Sequence, residues 1–304
     1  MTAWLDAFVP AFALLALGAL LKRRLLKDDT VWAGMERLIY WVLLPSLIVS
    51  ALAPLDLATL PLGRIAGGIW GALALGTVAS VLLARAFRAE HPAMTSVLQG
   101  GIRFNNLMGF AIVGALYGAP GTGFGAVATG IIVPFVQTVT TLAFAFDGKR
   151  GPPRPLAILR QLALNPLLIA VALGFAIAAL GGLPAGLAPT VQALGRASVA
   201  LGLLCVGAAL SLQSFSDRVP LQAATGVLKL IVMPAVTWAL CTALGVPPLA
   251  TAVAVIFMAL PTAATSYVMA RALGGDAPLM AAITTTEHIA SVATLPLWVM
   301  LVAP

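Results

Sequence analysis

The chain has 304 residues, of which 61% are hydrophobic and only 9% charged, with a mean hydropathy of +1.05; a soluble domain carries about 25% charged residues. That balance excludes a soluble globular protein, and apolar runs recurring along the whole chain point to spanning helices rather than to the weak alternation of a transmembrane barrel. The formal net charge is +7, but its basic residues are spread over short loops between apolar runs, the pattern of orientation signals and not of a nucleic-acid surface.

Runs of bilayer length, about 18 to 25 residues, fall first at 4–21, 31–53, 64–84, 92–117 and 123–146. A second set follows at 162–181, 189–212, 221–244, 249–273 and 278–302. The basic cluster Lys22, Arg23, Arg24 and Lys27 comes after the first run, the reverse of a signal peptide, so that run reads as a span entering from outside. With the N-terminus outside, nearly all loop arginines and lysines fall on the cytoplasmic side and only Arg64 opposite, which predicts both termini outside. Lys229 and Arg196 lie near enough to the ends of their runs to be explained by snorkelling; Arg103 does not. Cys205 and Cys241 sit in apolar runs without metal-ligand spacing and read as buried thiols.

The chain looks doubled. PAFALLALG from Pro10 aligns without gaps on PLLIAVALG from Pro166, each opening a set of five runs. An odd number of spans per half turns the second copy over in the membrane, as in secondary transporters built from inverted repeats. The predicted organisation is therefore a first repeat at 1–146, a cytoplasmic linker at 147–160 too short for its own core, and a second, inverted repeat at 161–304.

Polar and helix-breaking residues concentrate at equivalent places in the halves. The fourth run carries Gln99, Gly100, Gly101, Arg103, Asn105 and Asn106; the ninth carries Pro261, Thr262, Thr265 and Ser266. Backbone groups released by glycine and proline survive at membrane depth only where they line a protein-enclosed polar cavity, and freed helix ends there attract ions of either sign. Close packing at the glycines and interhelical hydrogen bonding by the asparagines is the plainer alternative. In the last run, TTTEHIAS holds Thr284, Glu287 and His288. A carboxylate placed that deep costs about 2.5 kcal/mol or more unless paired or protonated. Three roles are open to Glu287: pairing with Arg103, a proton relay, or a cation ligand beside threonine hydroxyls. His288 either joins the relay or packs with hydrogen bonds, and Gln137, after Pro134, either joins helices or faces the cavity. No metalloprotease, Walker or nucleophile-elbow motif occurs, so nothing points to an enzyme, a resident metal or a cofactor other than a proton or sodium as coupling ion.

LIYWVLLPSLIVSAL, RFNNLMGFAIVGALYG, LNPLLIAVALG, LGLLCVGAAL and LPTAATSYVMARALGGD followed by ATLPLW, in that order along essentially the whole chain, resemble the auxin efflux carrier family. Its members include bacterial relatives of the plant PIN-formed proteins and malonate transporters. The resemblance implies an all-α membrane protein of ten transmembrane helices in two inverted five-helix repeats, with helices 4 and 9 broken and crossing. It implies a scaffold of helices 1, 2, 6 and 7, a transport domain of helices 3–5 and 8–10 moving as an elevator, and a homodimer in lipid. Its substrates are small organic anions, carboxylates such as malonate or auxin-like acids, and its crossover motif falls on Asn105, Asn106 and Pro261. TTTEHIAS departs from the more apolar family stretch, which favours ion coupling over simple uniport. A bacterial inner-membrane location goes with this reading; a sodium-coupled bile-acid-type symporter and a membrane ligand sensor that moves nothing are the competing ones.

Overall fold

The computed structural model describes residues 2–56, 60–146, 155–210 and 218–304, and among them the regular structure is helical, with no strand. In chain order the helices are α1 (Thr2–Arg24), α2 (Asp29–Leu38), α3 (Leu44–Leu52), α4 (Leu62–Ala86), α5 (His91–Ile102), α6 (Asn106–Ala145) and α7 (Pro155–Ala163). They continue as α8 (Pro166–Ala179), α9 (Ala188–Ala209), α10 (Val219–Val227), α11 (Met233–Ala243), α12 (Pro248–Ala259), α13 (Thr265–Leu273) and α14 (Ala277–Val302).

Two five-residue π segments, Ile39–Leu43 and Leu228–Val232, join α2 to α3 and α10 to α11. Each is followed within two residues by a proline, Pro45 or Pro234. A proline has no N–H, and its ring collides with the carbonyl four residues back, so the preceding turn widens to a longer hydrogen bond. The Leu44 N–H accordingly bonds the Ile39 carbonyl, and the Met233 N–H that of Leu228.

Among the described residues seven helical stretches are long and apolar enough to cross a membrane, or eight if one bent pair counts as a span. That falls short of about ten because the expected ninth span is broken into α12 and α13, each too short to cross a bilayer alone. The expected fourth and fifth spans, in turn, run together as His91–Ala145. Within that stretch α6 changes direction at Gly118, whose φ of 59° and ψ of −144° only glycine adopts without strain. The expected linker lies outside the described residues up to position 154, and from Pro155 the chain is already helical. A new helix starts at Pro166 because that proline suits a first turn and Asn165 caps it, its side-chain oxygen accepting the Leu167 N–H at 2.9 Å.

The chain forms two compact units. The first comprises Met1–Leu62, Leu107–Val133 and Ala163–Ala209. Its core gathers Trp32, Leu43, Leu47, Ile48, Leu52, Phe110, Val127, Leu167 and Cys205. α1 and α9 are in backbone contact here, since a Cβ on Gly18 would strike the Leu204 carbonyl and one on Gly207 the Leu15 carbonyl. The second comprises Gly63–Asn106, Pro134–Leu162 and Leu210–Pro304. In it α14 packs against α5, α10, α12 and α13, and every residue of α12 from Ala250 to Ala259 is buried. Large apolar side chains such as Leu5, Leu75, Leu82, Val292, Leu297 and Leu301 stay exposed, an outer surface suited to lipid rather than water.

Candidate functional site

Both sequence interruptions fall in the second unit, and both are real breaks. α12 ends at Leu260, extended at φ −65° and ψ 145°, because a residue before proline is pushed out of the helical region. α5 ends at Arg103, extended at φ −78° and ψ 165°. No proline acts there; Gly100 and Gly101 weaken the helix end by about 1 kcal/mol each relative to alanine. The freed backbone groups satisfy each other: the Asn105 N–H donates to the Pro261 carbonyl at 2.8 Å, and the Thr262 hydroxyl donates to the Gln99 carbonyl at 3.1 Å. Phe104, inside the first break, packs its ring against Phe257 of α12 at 5.9 Å between centroids.

One side of this junction is buried. Glu287, with no exposed surface, accepts the Thr262 backbone N–H on Oε2 at 2.8 Å. The Thr262 hydroxyl lies 3.3 Å from that of Ser266. His288 points elsewhere: Nδ1 lies 2.7 Å from the Thr284 carbonyl, which can only accept, so Nδ1 holds the proton. Nε2 is then the acceptor for the Asn105 amide at 3.1 Å. Thr284 spends its hydroxyl on the Met280 carbonyl at 2.8 Å. Gln99 is fully buried, and its amide group makes no hydrogen bond among the described residues.

The other side is accessible. Arg103 is half-buried and Thr265 exposed; Arg103 donates from Nη2 to the Thr265 hydroxyl at 2.9 Å and from Nη1 to the Met269 sulfur at 2.7 Å. Asn106, half-buried, opens α6 beside it in the chain, and Thr265 opens α13. Helix N-termini carry about half a positive charge, so this face is electropositive.

Lys229 corrects the sequence reading. It does not snorkel: it lies in the π segment with none of its surface exposed. Glu287 Oε1 and Lys229 Nζ have no hydrogen-bond partner among the described residues. A charge buried at a membrane helix centre costs about 2.5–3.5 kcal/mol. Met269 as a partner of Arg103 and Thr225 beside Gly100 left no signal in the sequence. Gln137 is half-buried in α6, and among the described residues no hydrogen bond joins its side chain to the junction.

Helices with an apolar outer surface, two mutually bonded breaks, a buried carboxylate and an accessible guanidinium make up an integral membrane protein. The sequence matches the family described as membrane transport protein over residues 5–299, nearly its full length. The chain belongs to that family, the auxin efflux carrier family it resembles, and is a membrane transporter. No curated protein matches the chain closely enough to count as a relative.

Proposed function

We propose that this transporter carries small organic anions, carboxylates such as malonate or auxin-like acids, by secondary active transport. The observation that carries the reading is Arg103, held by Thr265 and Met269 on the accessible side of two broken helices. A planar guanidinium suits a carboxylate, and the N-termini of α6 and α13 add positive potential. Asn105, Asn106, Gln99, Pro261, Thr262 and Ser266 form or frame the binding centre, and Glu287, Thr284 and His288 belong to its ion-coupling side.

The ten-span, inverted-repeat layout is part of this reading. It is supported by the division of α6 at Gly118 and by the pairing of short α12 with α13 about a break. Two compact units in one chain support alternating access by movement of one against the other, as an elevator. A homodimer, a bacterial inner membrane and both termini outside complete the proposal, the orientation resting on the loop charges.

The test is flux into liposomes holding the purified protein, challenged with mono- and dicarboxylates, cationic amines and neutral amino acids. Uptake or current with carboxylates alone, lost in Arg103→Ala, is the expected result. Transport of amines or neutral solutes with no response to carboxylates would refute the anion reading, and saturable binding without flux would make the protein a sensor.

A further inference from the structure

From the end of α8 the chain reads AALGGLPAGLAP, and its adjacent glycines answer a backbone need. Gly181 and Gly182 have φ of 94° and 103°, values that only glycine adopts without strain. They close the helix: the Gly181 N–H donates to the Ala178 carbonyl at 3.2 Å and the Gly182 N–H to that of Ile177 at 2.9 Å. The turn also presents bare backbone. A Cβ on Gly181 would meet nothing within 4 Å, and one on Gly182 would touch only the Ala53 carbonyl, at 3.8 Å, just past the end of α3. Between these two helix ends and the start of α9, wholly within the first unit, lies a cavity of about 440 Å³ that opens to the surface. Its polar lining is Ser50, Asp56 and Gln192; Pro54, Leu55 and Leu183 supply the apolar part.

The balance of charge here is negative. α3 and α8 both end at the cavity, and a helix C-terminus carries about half a negative charge. Asp56 adds a full one, and among the described residues no arginine or lysine lines the cavity. The N-terminus of α9, at Ala188, offsets only part of that. The Ser50 hydroxyl spends its proton on the Leu47 carbonyl at 2.9 Å, so toward a ligand its oxygen accepts. A carboxylate has about four lone-pair sites, so Asp56 can keep a neighbour of its own and still bind. A bare metal ion suits the place poorly. One carboxylate is its single charged ligand, no group of three metal-ligating side chains occurs among the described residues, and the volume falls in the range of small-molecule sites, about 300–1,000 Å³. Leu180 and Leu187, 86% and 57% exposed, give the turn an apolar rim suited to lipid. We infer that this cavity binds an organic ammonium, with the charged nitrogen at Asp56 and the carbon part against Pro54, Leu55 and Leu183. The ammonium belongs either to the ethanolamine headgroup of a lipid standing at the leucine rim or to a soluble alkylamine. This site lies in the other unit from Arg103, takes the opposite charge, and stands whether or not the protein carries anions.

The experiment uses the purified full-length protein in maltoside detergent. Phosphatidylethanolamine is titrated by native mass spectrometry beside phosphatidylglycerol, and n-hexylammonium chloride by thermal melting beside sodium hexanoate and hexanol. Wild type is expected to retain phosphatidylethanolamine, to melt higher with hexylammonium, or both. Asp56→Asn keeps the shape of the side chain and removes its charge, and should weaken that response roughly tenfold. Ala188→Trp fills the cavity and leaves the charge, and should abolish it. The anionic and neutral probes should act equally on wild type and both variants. A response to the lipid alone assigns the site to the headgroup, and one to hexylammonium alone assigns it to a soluble amine. Absence of any ammonium response in wild type would overturn the inference, as would a response of wild-type strength in either folded variant. So would binding of phosphatidylglycerol or hexanoate that Ala188→Trp abolishes. Either variant decides the matter if the other fails to fold.

Discussion

Asn105 and Pro261, far apart in sequence, share a backbone hydrogen bond of 2.8 Å from the N–H of one to the carbonyl of the other. Each lies in a helix break, and each supplies what the other break lacks. An unmade backbone bond in an apolar interior costs several kcal/mol, so neither break is stable without its counterpart. In the proposed reading, substrate binding and fold stability therefore meet at one junction.

Arg103→Ala separates these two roles. The guanidinium is half-buried and donates to a hydroxyl and a thioether. Carboxylate affinity should fall roughly 10- to 100-fold, the worth of a charge-assisted hydrogen bond of about 1.5–3 kcal/mol, while the melting temperature changes little. Arg103→Lys should restore only part of the affinity, because an ammonium lacks the two-pronged fork. Titration calorimetry beside melting curves checks both; a large fall in melting temperature with unchanged affinity would give Arg103 a structural role instead.

Pro261→Ala tests the break itself. Without the proline, Leu260 is free to turn helical and α12 to lengthen by part of a turn. The Thr262 N–H would then leave Glu287 Oε2, now 2.8 Å away. Faster hydrogen exchange at 260–264 and at least tenfold weaker transport are expected, with the bulk of the protein still folded. Exchange and transport both at wild-type level would show that Pro261 is dispensable to the break.

The breaks were legible in the sequence because they violate a strong rule: two glycines, a proline and a run of polar groups cannot sit unexplained in a bilayer-length apolar stretch. Glu287 was legible for the same reason. Lys229 was not, since a lysine some way into an apolar run can reach the interface on its flexible stem; it lies buried in the π turn before Pro234, which composition does not announce. The neighbours of Arg103 were likewise open, because one-dimensional order does not say that a guanidinium reaches Thr265 and Met269. The start of α7 at Pro155 was missed because the basic, proline-rich segment read as a linker, whereas the turn at Gly118 falls in the gap left between the fourth and fifth runs.

Asp276 ties three elements of the second unit together. Its side chain caps α14 by accepting the Leu279 N–H at 3.1 Å and pairs with Arg218 at 3.0 Å. Its backbone N–H reaches the Pro92 carbonyl at 3.0 Å and its carbonyl takes the Ser96 hydroxyl at 2.9 Å. Asp276→Ala should cost about 1–2 kcal/mol, mostly the cap, since a half-exposed ion pair is worth at most about 1 kcal/mol. Asp276→Asn keeps the cap and should cost less than half of that. Equal losses in denaturant titrations of the two variants would shift the weight to the ion pair.

Glycine substitutions should rank by what stands in the way. A Cβ on Gly18 or Gly207 meets the backbone carbonyl of Leu204 or Leu15, which cannot step aside without moving a whole helix. On Gly101 it meets the Ser80 hydroxyl, the end of a short side chain that can rotate, at the loss of its 2.7 Å bond to the Gly76 carbonyl. Overpacking of a tight interior costs about 1–3 kcal/mol. Gly18→Ala and Gly207→Ala belong at or above the upper end of that range and Gly101→Ala near the lower. Thermal melts of the three alanine variants decide it. If Gly101→Ala proved the most damaging, the α1–α9 contact would have to be looser than its backbone geometry states, and the junction beside Ser80 more rigid.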